Sequence, residues 1–134
     1  MRSLLRNKKG FTLVELIVVV IIVAILAAAA IPMMSGNIAN AKRAEGVAAC
    51  GAIRTAERCV KAETGNYVAF TAGAWSGTNL NNYLRPGDLN GKYYADTSFT
   101  AVLNGTDGVD INVTGNYNSQ GAPAFNMLKN GDIT

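Results

Sequence analysis

At 134 residues the chain has room for one modest domain beside a membrane segment, and it contains no histidine, which removes the commonest general base and metal ligand together. Twelve basic and nine acidic residues give a formal charge of +3, but Arg2, Arg6, Lys8 and Lys9 crowd the first ten positions. Without those four the balance is eight against nine, formally −1, and nothing in it argues for a nucleic-acid partner.

Residues 1–10 read as a basic leader that stops at Gly10. Residues 11–34 then carry a single charge, Glu15, and from position 16 to position 31 every side chain is Leu, Ile, Val or Ala. As a helix those 24 residues span about 36 Å, enough for the hydrocarbon of a bilayer. A secretory signal places its small-residue cleavage site after the apolar stretch, so that the stretch is discarded. Here the candidate is Gly10, before it, and a cut there keeps the helix. Basic residues beside a spanning helix stay cytoplasmic, so Arg2, Arg6, Lys8 and Lys9 set the topology and the rest faces the periplasm or the outside. Glu15 is costly in such a setting, about 2.5–3.5 kcal/mol on insertion scales, and implies a partner. A new α-ammonium at Phe11, from the same chain or a neighbour, would supply one.

Gly10-Phe11-Thr12-Leu13-Val14-Glu15, behind a short basic leader and ahead of an unbroken apolar run, resembles the processing motif of type IV prepilins and of type II secretion pseudopilins. The resemblance implies a membrane-embedded aspartic peptidase that cuts after Gly10 and N-methylates Phe11, followed by polymerisation through the apolar helix. It also gives assembly roles to Glu15 and Pro32. Pilins of this kind commonly carry a proline at that place, with the helix loosened before it in the filament. Ala24 stands where many of them have glycine. Pro32 removes one backbone hydrogen bond by itself, so a kink or weakened turn is expected there.

Residues 35–64 read as an amphipathic continuation, giving one helix over 11–64. Ala49, Ala52, Ile53, Ala56 and Val60 form a narrow apolar stripe, with Arg54, Arg58 and Lys61 opposite and Glu57 placed to pair with Lys61 four residues on. Gly65-Asn66 closes the helix. Cys50 and Cys59 are the only cysteines. On a continuous helix they are about 13.5 Å apart along the axis, too far for a disulfide, so pairing them requires a break near Gly51. The alternatives are Cys59 buried beside the stripe and Cys50 on the polar flank, where a thiol could touch a neighbouring subunit.

Residues 65–92 read as a glycine-rich connector with a short helix over 78–84, stopped by Pro86-Gly87. Residues 93–134 read as a small antiparallel meander of three or four strands, over 98–103, 109–114, 124–128 and a last piece at 132–134. A turn at 104–108 joins the first two strands and Asn130-Gly131 offers another. The aromatics Tyr67, Phe70, Trp75, Tyr83, Tyr93 and Tyr94 are read as packing. Asn104, Asp107 and Asp110 could offer oxygens to calcium, but their spacing is not that of an EF-hand and turn chemistry explains them equally. Asn104-Gly105-Thr106 and Asn112-Val113-Thr114 match the glycosylation triplet.

The expected fold is α+β and pilin-like: a long N-terminal helix whose second half packs on a small antiparallel sheet. The expected function is a structural, non-enzymatic subunit with no cofactor or metal, a major pilin of a type IV pilus-like surface filament. Its partners would be copies of itself, the peptidase and methyltransferase, the inner membrane before assembly, and the assembly machinery. Alternatives are the major pseudopilin of type II secretion and a membrane-tethered monomeric binding module. Pseudopilins resembling this chain follow glycine–tyrosine at the helix end with proline, whereas Gly65-Asn66-Tyr67 is followed here by Val68.

Overall fold

The computed structural model describes residues 10–115 and 121–134, so the topology residues Arg2, Arg6, Lys8 and Lys9 lie outside the described residues. The chain forms two units, one ending at Asn37 and the other Ile38–Thr134. Among the described residues, helix α1, Leu13–Thr64, supplies all the regular structure of the first and the opening element of the second.

In the first unit every residue from 11 to 37 is exposed, the large side chains included. Helix is the one conformation that satisfies such a segment's backbone in lipid. The assigned helix continues through Pro32, where the Ser35 hydroxyl donates to the Pro32 carbonyl (2.8 Å).

At the other end, Gly65 takes φ +80° and its N–H donates to Lys61 O (2.9 Å), the left-handed stop the sequence predicts. The buried line of the helix is rotated from the predicted stripe. It runs through Gly46, Cys50, Ile53, Ala56, Glu57 and Val60, while Ala52 is exposed and Ala49 half-buried. Alanines defined the predicted stripe, but the surface to be covered is set by Tyr94, Phe99 and Phe125. A Cβ at Gly46 would come within 2.9 Å of the Phe125 ring and 3.0 Å of Tyr94, so this glycine lets two aromatics lie against the backbone.

The rotation corrects two expectations. Cys50 is fully buried and not on a polar flank, and Cys59 is half-buried. Both are free thiols on an unbroken helix. Burial pushes the Cys50 thiol up to about 12, against the opposing pull of Arg54, so it stays protonated and inert. Glu57 is likewise inside and does not pair with Lys61, whose ammonium donates to Thr106 O (3.0 Å).

The sheet comprises β1 (Phe99–Leu103), β2 (Val109–Val113) and β3 (Phe125–Met127), antiparallel in that order. Phe99 pairs with Val113, Ala101 with Ile111, Ile111 with Met127 and Val113 with Phe125. These residues share the buried face, and Asn112 and Asn126 lie between them on the exposed one, as period-two alternation requires. Residues 132–134 make only a bridge, Met127 to Ile133, rather than a fourth strand. Asn126 exchanges two 2.9 Å backbone bonds with Thr134 across the Gly131 turn.

The connector is less of a loop than its composition suggests. Phe70 bridges to Ala101 and covers the free edge of β1, which would otherwise present unpaired backbone. Trp75, Leu80, Leu84 and Leu89 are all buried, and the Trp75 indole donates to Leu84 O (2.9 Å). The helix predicted over 78–84 is a 3-10 turn, Asn79–Asn82, capped by Thr78. Asp96 ties the connector to the start of the sheet, accepting from the N–H groups of Gly87 and Leu89.

Candidate processing and assembly site

The residues expected to be processed sit where α1 begins. Gly10 and Phe11 precede the helix and are exposed, Phe11 at 87%. A Cβ at Gly10 would meet nothing within 4 Å, so no packing within the fold requires glycine at this position.

Thr12 is the N-cap and Glu15 the third helical residue, and they close a reciprocal capping box. The Glu15 carboxylate accepts from the Thr12 N–H (2.9 Å) and the Thr12 hydroxyl (2.7 Å), both at Oε2. The Glu15 N–H in turn reaches the Thr12 hydroxyl (3.3 Å). Two amide donors orphaned at a helix start are thereby satisfied, and the negative charge lies at the positive end of the helix dipole. The partner the sequence demanded for Glu15 is therefore partly local. The signal was available, since Thr-x-x-Glu ahead of an apolar run is a capping box in sequence. Pro32 belongs to the same unit but lies about 26 Å further along α1, so the structure does not bring together the two residues expected to act in assembly.

A second carboxylate pins the head. Glu45 accepts from three consecutive backbone N–H groups, Lys92 (3.2 Å), Tyr93 (2.8 Å) and Tyr94 (3.0 Å), and a Cβ at Gly91 would collide with it. Glu57 does similar work with one oxygen, Oε2 accepting from Val68 N–H (3.0 Å), while buried Oε1 has no hydrogen-bond partner among the described residues. Burial raises the Glu57 pKa, and the Val68 bond opposes that rise.

The loop oxygens considered for calcium are engaged by donors instead. The Asn104 amide donates to Asp110 (2.6 Å), Lys129 N–H donates to the other Asp110 oxygen (2.8 Å), and the Lys129 ammonium pairs with Asp107 (2.9 Å). That ion pair holds the Asp107 carboxyl below its usual range.

Residues 5–31 match the family model of the prokaryotic N-terminal methylation motif. The chain carries the type IV prepilin and pseudopilin signature. The signature takes in Gly10, Phe11, Thr12 and Glu15 and stops one residue short of Pro32. It suits a helix anchored in a membrane before assembly, and its family is structural rather than enzymatic. No curated protein and no solved structure matches the chain.

Proposed function

We propose that the chain is the major pilin of a type IV pilus-like surface filament. The precursor is held in the inner membrane by residues 11–34, with Arg2, Arg6, Lys8 and Lys9 on the cytoplasmic side. A prepilin peptidase and methyltransferase cuts after Gly10 and methylates the new Phe11 amine, and the assembly machinery then packs the subunits through their apolar helices. The observation that carries this reading is the surface of 11–38, wholly exposed and bearing one charge, at its very start. In lipid that surface is covered by acyl chains, and in a fibre by its own kind. Ala27, Ala28, Ala29 and Ala30 leave room for close helix approach, the packing that works where hydrophobicity alone gives no drive.

Val68 supports a pilus over a type II secretion pseudopilin. Its N–H donates to buried Glu57, a bond that proline at this position could not make, so the link from helix to head departs from the pseudopilin pattern. Electron microscopy of sheared cell-surface material, with N-terminal sequencing of its main band, tests the proposal. Fibres whose subunit begins at methylated Phe11 are expected. A subunit that begins at Met1, or that stays monomeric in the membrane, would overturn it.

A further inference from the structure

Three cations gather at one edge of the head. The Lys42 and Lys92 ammonium groups lie over the ring of Tyr93, 5.4 and 5.2 Å from its centroid, and the Arg43 guanidinium lies 5.0 Å from the ring of Phe125. Lys42 and Arg43 come from α1, whereas Lys92 and Tyr93 come from the segment that Glu45 holds by its backbone N–H groups. The Glu45 oxygens are occupied by those N–H groups. Among the described residues neither Arg43 nor Lys92 has a carboxylate within ion-pair distance, and the Arg43 Nε is buried with no hydrogen-bond partner. Arg54 donates to Lys129 O, Lys61 to Thr106 O, and Lys129 pairs with Asp107.

We infer that Lys42, Arg43, Lys92 and Tyr93 form an interfacial patch that binds the phosphates of anionic lipid headgroups while the subunit waits in the membrane. This rests on the reading of residues 11–34 as a membrane anchor. Lys42 follows Asn37 by five residues, at most about 18 Å of chain however the two units are oriented, so the anchor confines the patch to the neighbourhood of the bilayer surface. A half-buried tyrosine flanked by snorkelling lysines is the side-chain set that partitions to that layer. An anionic surface draws each Lys or Arg near it with roughly a fivefold preference. Three cations on one short edge suit a few lipid phosphates better than the long basic tract that a nucleic acid occupies. Such a patch would fix how the head meets the membrane before subunits join.

The full-length chain reconstituted in lipid nanodiscs tests this by amine-reactive labelling read by mass spectrometry. Discs of phosphatidylcholine alone are compared with discs of equal parts phosphatidylcholine and phosphatidylglycerol. Labelling of Lys42 and Lys92 is expected to fall about fivefold in the anionic discs and to recover in high salt, with Lys61 and Lys129 unchanged as internal controls. In Lys92→Gln the protection of Lys42 should weaken while that of Lys61 and Lys129 stays as it was. Equal labelling in both discs, by chain that floats with them, overturns the patch and leaves the anchor standing. Chain that does not float with either disc overturns both. Protection that appears in neutral discs only on adding duplex DNA, or that follows the number of chains per disc instead of lipid charge, also overturns it.

Discussion

At the residue scale, Glu15 has two separable duties. Its hydrogen bonds close the start of α1, and its charge is the only one between positions 11 and 41. Glutamine also serves at the third position of a capping box, so Glu15→Gln keeps the first duty and drops the second. Glu15→Gln and Glu15→Ala are both expected to insert normally, since each removes a desolvation cost. Both should be under-represented in fibres made in competition with wild type, as counted by mass spectrometry of sheared material. Full incorporation of the glutamine variant alone would mean that the cap, not the charge, is what assembly uses. Gly10 is different in kind. Because a Cβ there meets nothing in the fold, Gly10→Val should leave folding untouched and block leader removal, read as unprocessed precursor on a gel. Glu57 supplies the pH dependence. Its folded pKa is raised above the ordinary 4.5, so its contribution to stability is fully present below that value and is lost as pH rises through the folded pKa. Urea midpoints measured from pH 4.5 to neutrality, above the range in which the lowered Asp107 carboxyl titrates, should therefore fall with rising pH. Glu57→Gln should flatten that fall, since its amide oxygen still accepts from Val68.

At the scale of elements, two glycines of one helix should respond oppositely. Gly51 is exposed with nothing within 4 Å of a built Cβ, so Gly51→Ala recovers helix propensity and is expected to stabilise the head by about 0.5–1 kcal/mol. Gly46 is the seat of the Tyr94 and Phe125 rings, and Gly46→Val should destabilise it by about 1–3 kcal/mol through overpacking. Denaturant titration followed by circular dichroism separates the two signs. This pair also marks what the sequence could convey. The extent of α1, its Gly65 stop and the three strands of the meander were legible, because each rests on a local signal: apolar run, left-handed cap, alternation, turn. The start of the site was legible as Gly10-Phe11-Thr12-Leu13-Val14-Glu15, although the capping box within it passed unread. Which helix face goes inside was not legible. That depends on aromatic residues some fifty to eighty positions away, and Ala49 and Ala52 look as apolar as Cys50 and Gly46 until Tyr94 and Phe125 are in place. The connector misled for a similar reason. Its five glycines and its asparagines describe the turns, while Phe70, Trp75, Leu80, Leu84 and Leu89, scattered without period, carry its share of the core.

At the scale of the whole molecule, the two units are held by different physics. Among the described residues every buried apolar residue of the core, from Cys50 to Met127, belongs to Ile38–Thr134, and none to the unit before it. The head is therefore expected to fold without residues 10–37, whereas 11–37 are exposed throughout and would gain stability only from lipid or from other helices. A chain starting at Ile38 should thus be monomeric and cooperatively folded, with Trp75 still shielded from solvent. The full chain freed of its leader should instead require detergent or associate. Analytical ultracentrifugation of both, with the tryptophan emission maximum as the folding readout, checks the division. A truncated head that unfolds, or one that oligomerises as readily as the full chain, would show that assembly and folding are not separated at Asn37. If they are separated, the head can vary without loss of polymerisation so long as residues 10–34 stay intact.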